Sequence, residues 1–108
     1  MCNEFNRQSF LRMLSVCMKA GKLSVGEGRA TDTVRNGKAF LIILSDDASE
    51  NTVKRFTDMA NYRNLPLIKE FDRYTLGKNI GREFAVVMAV TDKGLTDSLL
   101  QKVLCERK

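Results

Sequence analysis

Two stretches of this chain carry no polar side chain: Ala39-Phe-Leu-Ile-Ile-Leu44 and Phe84-Ala-Val-Val-Met-Ala-Val90. A strand with one wet face alternates apolar and polar residues, because successive side chains point to opposite sides. These two runs do not alternate. They predict strands buried on both faces, which requires helices above and below the sheet. The intervening segments have helical spacing, so the chain reads α-β-α-β-α-β-α-β-α. That order predicts one α/β layered domain spanning residues 1–108, and by pattern alone a largely parallel sheet. At 108 residues the chain is long enough for a core without metal or disulfides.

The helices follow from their apolar stripes and their punctuation. Residues 5 to 20 place Phe10, Met13, Leu14, Cys17 and Met18 on one side, with Asn3 as a candidate N-cap and Ala20-Gly21 as the stop. Leu23 to Val25 is a very short strand. Glu27 to Asn36 forms a second helix with Ala30, Val34 and Thr33 inward, closed by Gly37. Ser49 caps a third helix that reaches Arg63 with Val53, Phe56, Met59 and Ala60 as its buried stripe. Pro66 bars a helical conformation at Leu65. Leu67 to Lys69 follows as a strand, and Asp72 caps a short helix from Arg73 to Lys78. After the turn Thr91-Asp-Lys-Gly94, a last helix covers Thr96 to Cys105, with Leu99, Leu100, Val103 and Leu104 apolar.

No run approaches the roughly 18 apolar residues of a membrane span. Met1-Cys-Asn-Glu-Phe-Asn6 has no basic segment leading into an apolar one, so the sequence points to the cytoplasm. Three widely spaced cysteines, Cys2, Cys17 and Cys105, have no metal-ligand spacing and read as free thiols. The chain has no histidine. That removes the commonest general base and the Ser-His and Cys-His nucleophile pairs. Asp46 and Asp47 remain as carboxylates at the end of a buried strand, where α/β enzymes place functional groups.

The start of the second helix is the most suggestive stretch. Gly26 and Gly28 leave the backbone open, and first-turn N–H groups point outward with the positive end of the helix dipole. Such a terminus binds phosphate, carboxylate or a base-edge carbonyl. Gly26-Glu-Gly28-Arg-Ala-Thr31 has two glycines of a dinucleotide fingerprint, but its third place holds Thr31 and its leading strand is short. A nucleotide-binding or small enzymatic domain using this turn with Asp46 or Asp47 is one reading. RNA binding is another, favoured by a net charge of +5, and a protein-interaction module without RNA is a third. Lys22 and Arg29 flank the helix start, and Arg73, Lys78 and Arg82 lie in a second segment. If the two segments meet, they make a basic rim around an exposed helix terminus.

Five stretches, in this order, resemble a known family: Lys19-Ala-Gly-Lys-Leu-Ser-Val-Gly-Glu27, Leu41 to Thr52, Asn64-Leu-Pro66, Leu76-Gly-Lys-Asn-Ile-Gly-Arg82 and Ala85 to Asp92. The chain resembles the archaeal- and eukaryotic-type ribosomal kink-turn-binding proteins, and most closely their small bacterial relatives of the YlxQ type. The resemblance implies a three-layer α/β/α sandwich with a four-stranded mixed sheet, in place of a mainly parallel one. It further implies a non-enzymatic protein that binds structured RNA, often kink-turns and ribosomal RNA included; the chain is separately expected to need no cofactor or metal and to be a monomer. The RNA surface it implies is the start of the second helix with the loop before the last strand. The candidate residues are Lys22, Gly26, Glu27, Gly28, Arg29, Arg73, Lys78 and Arg82. The family's second helix begins Gly-x-Asn-Glu-x-x-Lys. Here Gly26 matches, while Gly28, Arg29 and Asp32 stand in the other three places.

Overall fold

The computed structural model describes the backbone of residues 7–104, and the side chains of 7–102. The candidate cap Asn3, the thiols Cys2 and Cys105, and the side chains of Val103 and Leu104 lie outside that range. The elements are α1 (Arg7–Lys19), β1 (Leu23–Val25), α2 (Glu27–Arg35), β2 (Leu41–Ser45), α3 (Glu50–Arg63), β3 (Leu67–Phe71), α4 (Arg73–Lys78), β4 (Val87–Val90) and α5 (Lys93–Leu104).

The four strands form one sheet in the order β1-β4-β2-β3. Only β2 and β3 run parallel; β4 is antiparallel to both β1 and β2. The largely parallel sheet expected from element order is therefore corrected to a mixed one, as the family resemblance implied. Alternation of helix and strand fixes where helices can pack, but it does not fix strand direction. Here β4 enters between β1 and β2 from the opposite end.

All residues of β2 and β4 are buried, because each face is covered. Leu41, Ile43, Met88 and Val90 join Phe10, Leu14 and Cys17 of α1, Leu76 of α4 and Leu99 of α5 in one core cluster. Ile42, Leu44, Val87 and Ala89 point the other way, onto Ala30 and Val34 of α2 and Phe56 and Ala60 of α3. The result is the three-layer α/β/α sandwich, with α1, α4 and α5 on one side and α2 and α3 on the other.

Several boundaries differ from the sequence reading. Strand β4 begins at Val87, not Phe84, and Phe84 is 51% exposed. Phe84 and Ala85 lie against α4 instead, where the Ala85 N–H donates to the Arg73 carbonyl at 2.9 Å, while the Val86 carbonyl still accepts from the Ser45 N–H of β2 at 2.7 Å. Strand β2 begins at Leu41 rather than Ala39 and runs on to Ser45. Strand β3 extends to Phe71, which pairs with Ser45 across a register shift. Helix α5 begins three residues early, at Lys93, because Asp92 caps it: its Oδ2 accepts from the Leu95 N–H at 2.8 Å. In α3 the buried stripe is Thr52, Phe56 and Ala60, with Val53 and Met59 only partly covered. In α2, Thr31 is buried and Thr33 half-buried.

The topology gathers particular ends together. Val25, Ser45 and Phe71 end β1, β2 and β3, and Val87 starts β4, all at one end of the sheet. Helices α2, α3 and α4 start from that same end.

Candidate nucleic-acid interface

Three helix N-termini thus share one edge of the molecule, and two of them are closed. Ser49 Oγ accepts from the Thr52 N–H at 3.2 Å and caps α3. Asp72 Oδ2 accepts from the Tyr74 and Thr75 N–H groups at 3.0 and 3.1 Å and caps α4. Helix α2 starts at Gly26, which has no side chain to cap with. Its first-turn N–H groups lack the acceptors that serve α3 and α4, so a ligand or solvent must supply them.

Gly26 is fixed by backbone. Its φ of 102° lies in the region that side chains rarely adopt, and its N–H donates to the Val87 carbonyl at 2.9 Å. This bond docks the start of α2 onto β4. A Cβ added at Gly26 or Gly28 would meet nothing within 4 Å, so the space in front of both is open.

Glu27 does not face that space alone. Its Oε1 pairs with Arg55 Nη1 at 3.3 Å, and its Oε2 accepts from the Thr52 hydroxyl at 3.2 Å. Arg55 Nη2 donates to the Thr31 hydroxyl at 3.1 Å. The start of α2 is thereby tied to the start of α3. Thr31, in the third-glycine place of the dinucleotide fingerprint, is 4% exposed and belongs to this tie. Arg29 is exposed, and among the described residues its side chain has no hydrogen-bond or ion-pair partner.

The second segment is held by α4. The Ile80 and Arg82 N–H groups donate to the Gly77 carbonyl at 3.0 and 2.9 Å. A Cβ on Gly77 would stand 2.5 Å from the Phe84 Cα, so only glycine lets this loop lie so close to the helix. The loop then faces the start of α2. A cleft of about 370 Å³ opens between Gly26 and Glu27 on one side and Arg82 and Phe84 on the other, floored by Val25 and Val87. The convergence on which the RNA reading depended is thus present for Gly26, Glu27 and Arg82, with Gly28 and Arg29 beside them on the first turn of α2. Lys78 is exposed at the end of α4, next to the carbonyl that receives Arg82.

Two candidates lie differently. Lys22 precedes β1 and its carbonyl accepts from the Thr91 N–H at 2.9 Å, at the opposite end of that strand from Gly26. Arg73 is committed to Asp47: Nη2 donates to the Asp47 carbonyl at 2.9 Å and Nε pairs with its Oδ2 at 3.3 Å. Partial desolvation pushes the Asp47 carboxyl up, but the Ser45 hydroxyl and the Arg73 guanidinium outweigh it and hold the pKa below the ordinary value. Asp47 therefore serves to anchor α4 to the β2–α3 loop. Asp46 is exposed, and its N–H donates to the Phe71 carbonyl at 2.8 Å.

Sequence reasoning missed two aromatics on this edge. Phe84 was assigned to a buried strand, yet it stands in the cleft; Tyr74, on α4, is 63% exposed. The signal for Phe84 was its place at the head of the run, directly after charged Arg82-Glu83. The strand needs only Val87 to Val90 to span its neighbours, and Gly77 and Gly81 mark a loop tight enough to hold what precedes it.

Residues 8–100 match the Ribosomal protein L7Ae/L30e/S12e/Gadd45 family. A protein named RNA-binding protein YlxQ, from Bacillus subtilis (strain 168), is 41% identical over 88 residues, covering 82% of this chain and 88% of the relative. The large ribosomal subunit protein eL30 of Methanosarcina mazei is 28% identical, covering 82% of this chain and 84% of its own. Among solved structures, a protein of unknown function from Bacillus halodurans superposes with a TM-score of 0.84 at 32% identity, covering 86% of this chain and 94% of that one. The Giardia lamblia 15.5kD RNA binding protein superposes at 0.76 with 16% identity, covering 94% and 87%, a likeness of fold alone.

Proposed function

The chain belongs to the Ribosomal protein L7Ae/L30e/S12e/Gadd45 family, and on that premise we propose that it is a non-enzymatic protein that binds structured RNA, ribosomal RNA included, as a cytoplasmic monomer. The observation that carries this reading is the uncapped start of α2 facing the Arg82–Phe84 loop across an open cleft. Unpaired N–H groups take a phosphate or base carbonyl, Arg82 and Lys78 meet phosphates, and Phe84 offers a face for an unstacked base. The B. subtilis relative's name points the same way. The nucleotide-binding alternative gains no support: Asp47 is engaged by Arg73, and Thr31 packs inward where that fingerprint needs glycine.

Kink-turn recognition is weak in this reading. Gly28 lacks an amide side chain, Arg29 supplies donors where a carboxylate stands in the family motif, and Asp32 places an anion where a lysine stands. A good bidentate base contact is worth about 1–3 kcal/mol, so three changed partners remove most of the discrimination between a kink-turn and a straight duplex. The test is melting temperature with ribosomal RNA, a kink-turn hairpin, a matched duplex, NAD and ATP in separate samples. Ribosomal RNA should raise Tm, with little preference between hairpin and duplex. A rise with NAD or ATP alone would overturn the reading.

A further inference from the structure

A second surface lies at the other end of α2. Helix α2 is nine residues long, so its ends are about 13 Å apart at 1.5 Å per residue. At the far end a groove of about 340 Å³ runs between α2 and α3, lined by Val34, Arg35, Asp58, Met59, Tyr62 and Arg63. Tyr62 is 83% exposed, more than any other large apolar or aromatic side chain among the described residues. Its ring is not left to solvent entirely, since the Arg63 guanidinium sits 5.7 Å from its centroid.

A helix C-terminus ordinarily repels anions, because its last carbonyls point outward. Here those carbonyls are taken. Asp32, Thr33 and Val34 carbonyls accept from the N–H groups of Asn36, Lys38 and Gly37 at 2.9, 3.1 and 3.0 Å. The Arg35 carbonyl accepts from Arg63 Nη2 at 3.1 Å. The one acid in the groove, Asp58, pairs with Lys54 at 3.6 Å. The Arg35 guanidinium has no partner among the described residues, and Lys38, three residues on in the chain, is exposed. The groove therefore presents an apolar floor, a flat aromatic face and net positive charge.

We propose that this α2–α3 groove holds an unpaired RNA strand, one base stacked on Tyr62 and its phosphates at Arg35 and Lys38, as a second contact for RNA seated at the start of α2. The charge complementarity and the exposed ring beside a guanidinium favour a single strand, whose bases are free to stack. The inference rests on the RNA reading above, and the following experiment separates the two.

A kink-turn hairpin is titrated with and without a ten-uridine tail, and a free 5-iodouridine decamer is photocrosslinked to the protein and mapped. The tail should tighten binding by roughly fivefold or more, the low end of what one stacked base is worth. Tyr62→Ala should abolish that gain while leaving binding of the untailed hairpin unchanged. Arg35→Ala should flatten the salt dependence of the tailed RNA by about 0.7, as for one phosphate on a single strand. The decamer should crosslink at Tyr62. A tail that adds nothing, a gain that survives Tyr62→Ala, or crosslinks confined to Phe84 would overturn the proposal and leave the groove to an acidic protein partner or to solvent. Crosslinking at Tyr62 with no binding of any structured RNA would sustain the groove and overturn the reading at the start of α2.

Discussion

At the scale of single residues, three glycines of this edge do different work, and substitution separates them. Gly28 sits inside the first turn of α2 with open space before it. Alanine fits there and restricts the unfolded chain, so Gly28→Ala should stabilise by about 0.4–1 kcal/mol. Its methyl stands in front of the free N–H groups, so RNA binding should weaken while Tm rises. Gly77→Ala should do the opposite to stability. Its Cβ would stand 2.5–2.7 Å from the Phe84 backbone, and overpacking of this kind costs about 1–3 kcal/mol. Thermal unfolding with an RNA titration on each variant reads both effects. Gly26, with φ at 102°, strains under any substitution. Cys17 offers a separate check on the core. Burial, with Asp92 adding to it, pushes its thiol up from 9.0 to about 11. The unfolded chain ionises first, so the stability this thiol contributes is complete below pH 9 and lost as pH rises toward 11. That contribution is on the order of 2 kcal/mol. The stability gap between wild type and Cys17→Ala should therefore shrink by that amount between pH 8.5 and 11 in urea titrations.

At the scale of elements, α4 is the scaffold for half of the site, and its anchors are acidic. Asp72 is held low by the Thr75 hydroxyl and N–H, and Asp47 by Ser45 and Arg73 against partial desolvation. Both folded pKa values lie below the usual 3.8, so this stability is present above that pH and lost as pH falls through the lowered values. Arg73→Ala should flatten the acid arm of a Tm-against-pH curve. At pH 7 it should cost no more than about 1 kcal/mol, because the Arg73–Asp47 pair is more than a third exposed on the Asp47 side. Arg73 is also why element-level reading fell short. Its position at the head of α4 was legible from Asp72, but its engagement with Asp47 depends on β2 and β3 ending together. The helices themselves were legible, since α4 and its cap follow directly from Asp72-Arg-Tyr-Thr. Strand β4 was overrun by three residues, because apolar Phe84 and Ala85 look the same in sequence whether they pair in a sheet or fold back onto a helix.

At the scale of the whole molecule, two-sided burial of β2 and β4 dictated the three layers, and the absence of alternation showed it in advance. Strand direction was not written in that pattern; it came from the family resemblance. The candidate site was half legible for the same reason. Which residues lie on the first turn of α2 is local information. Which loop faces them depends on β4 running antiparallel between β1 and β2. A net charge of +5 adds a salt-sensitive attraction over the surface, and the local contacts lie within it. Lys78→Ala and Arg82→Ala should each reduce the salt slope of RNA binding by about 0.7–0.9, while Lys22→Ala, at the far end of β1, should leave it nearly unchanged. The most direct measurement is ultraviolet crosslinking of the intact protein to total ribosomal RNA, followed by mass-spectrometric mapping of the modified peptides. Crosslinks are expected in 26–29 and 82–84, the two sides of the cleft. Crosslinks that avoid both segments would contradict the assignment of the open α2 terminus as the place where RNA is held.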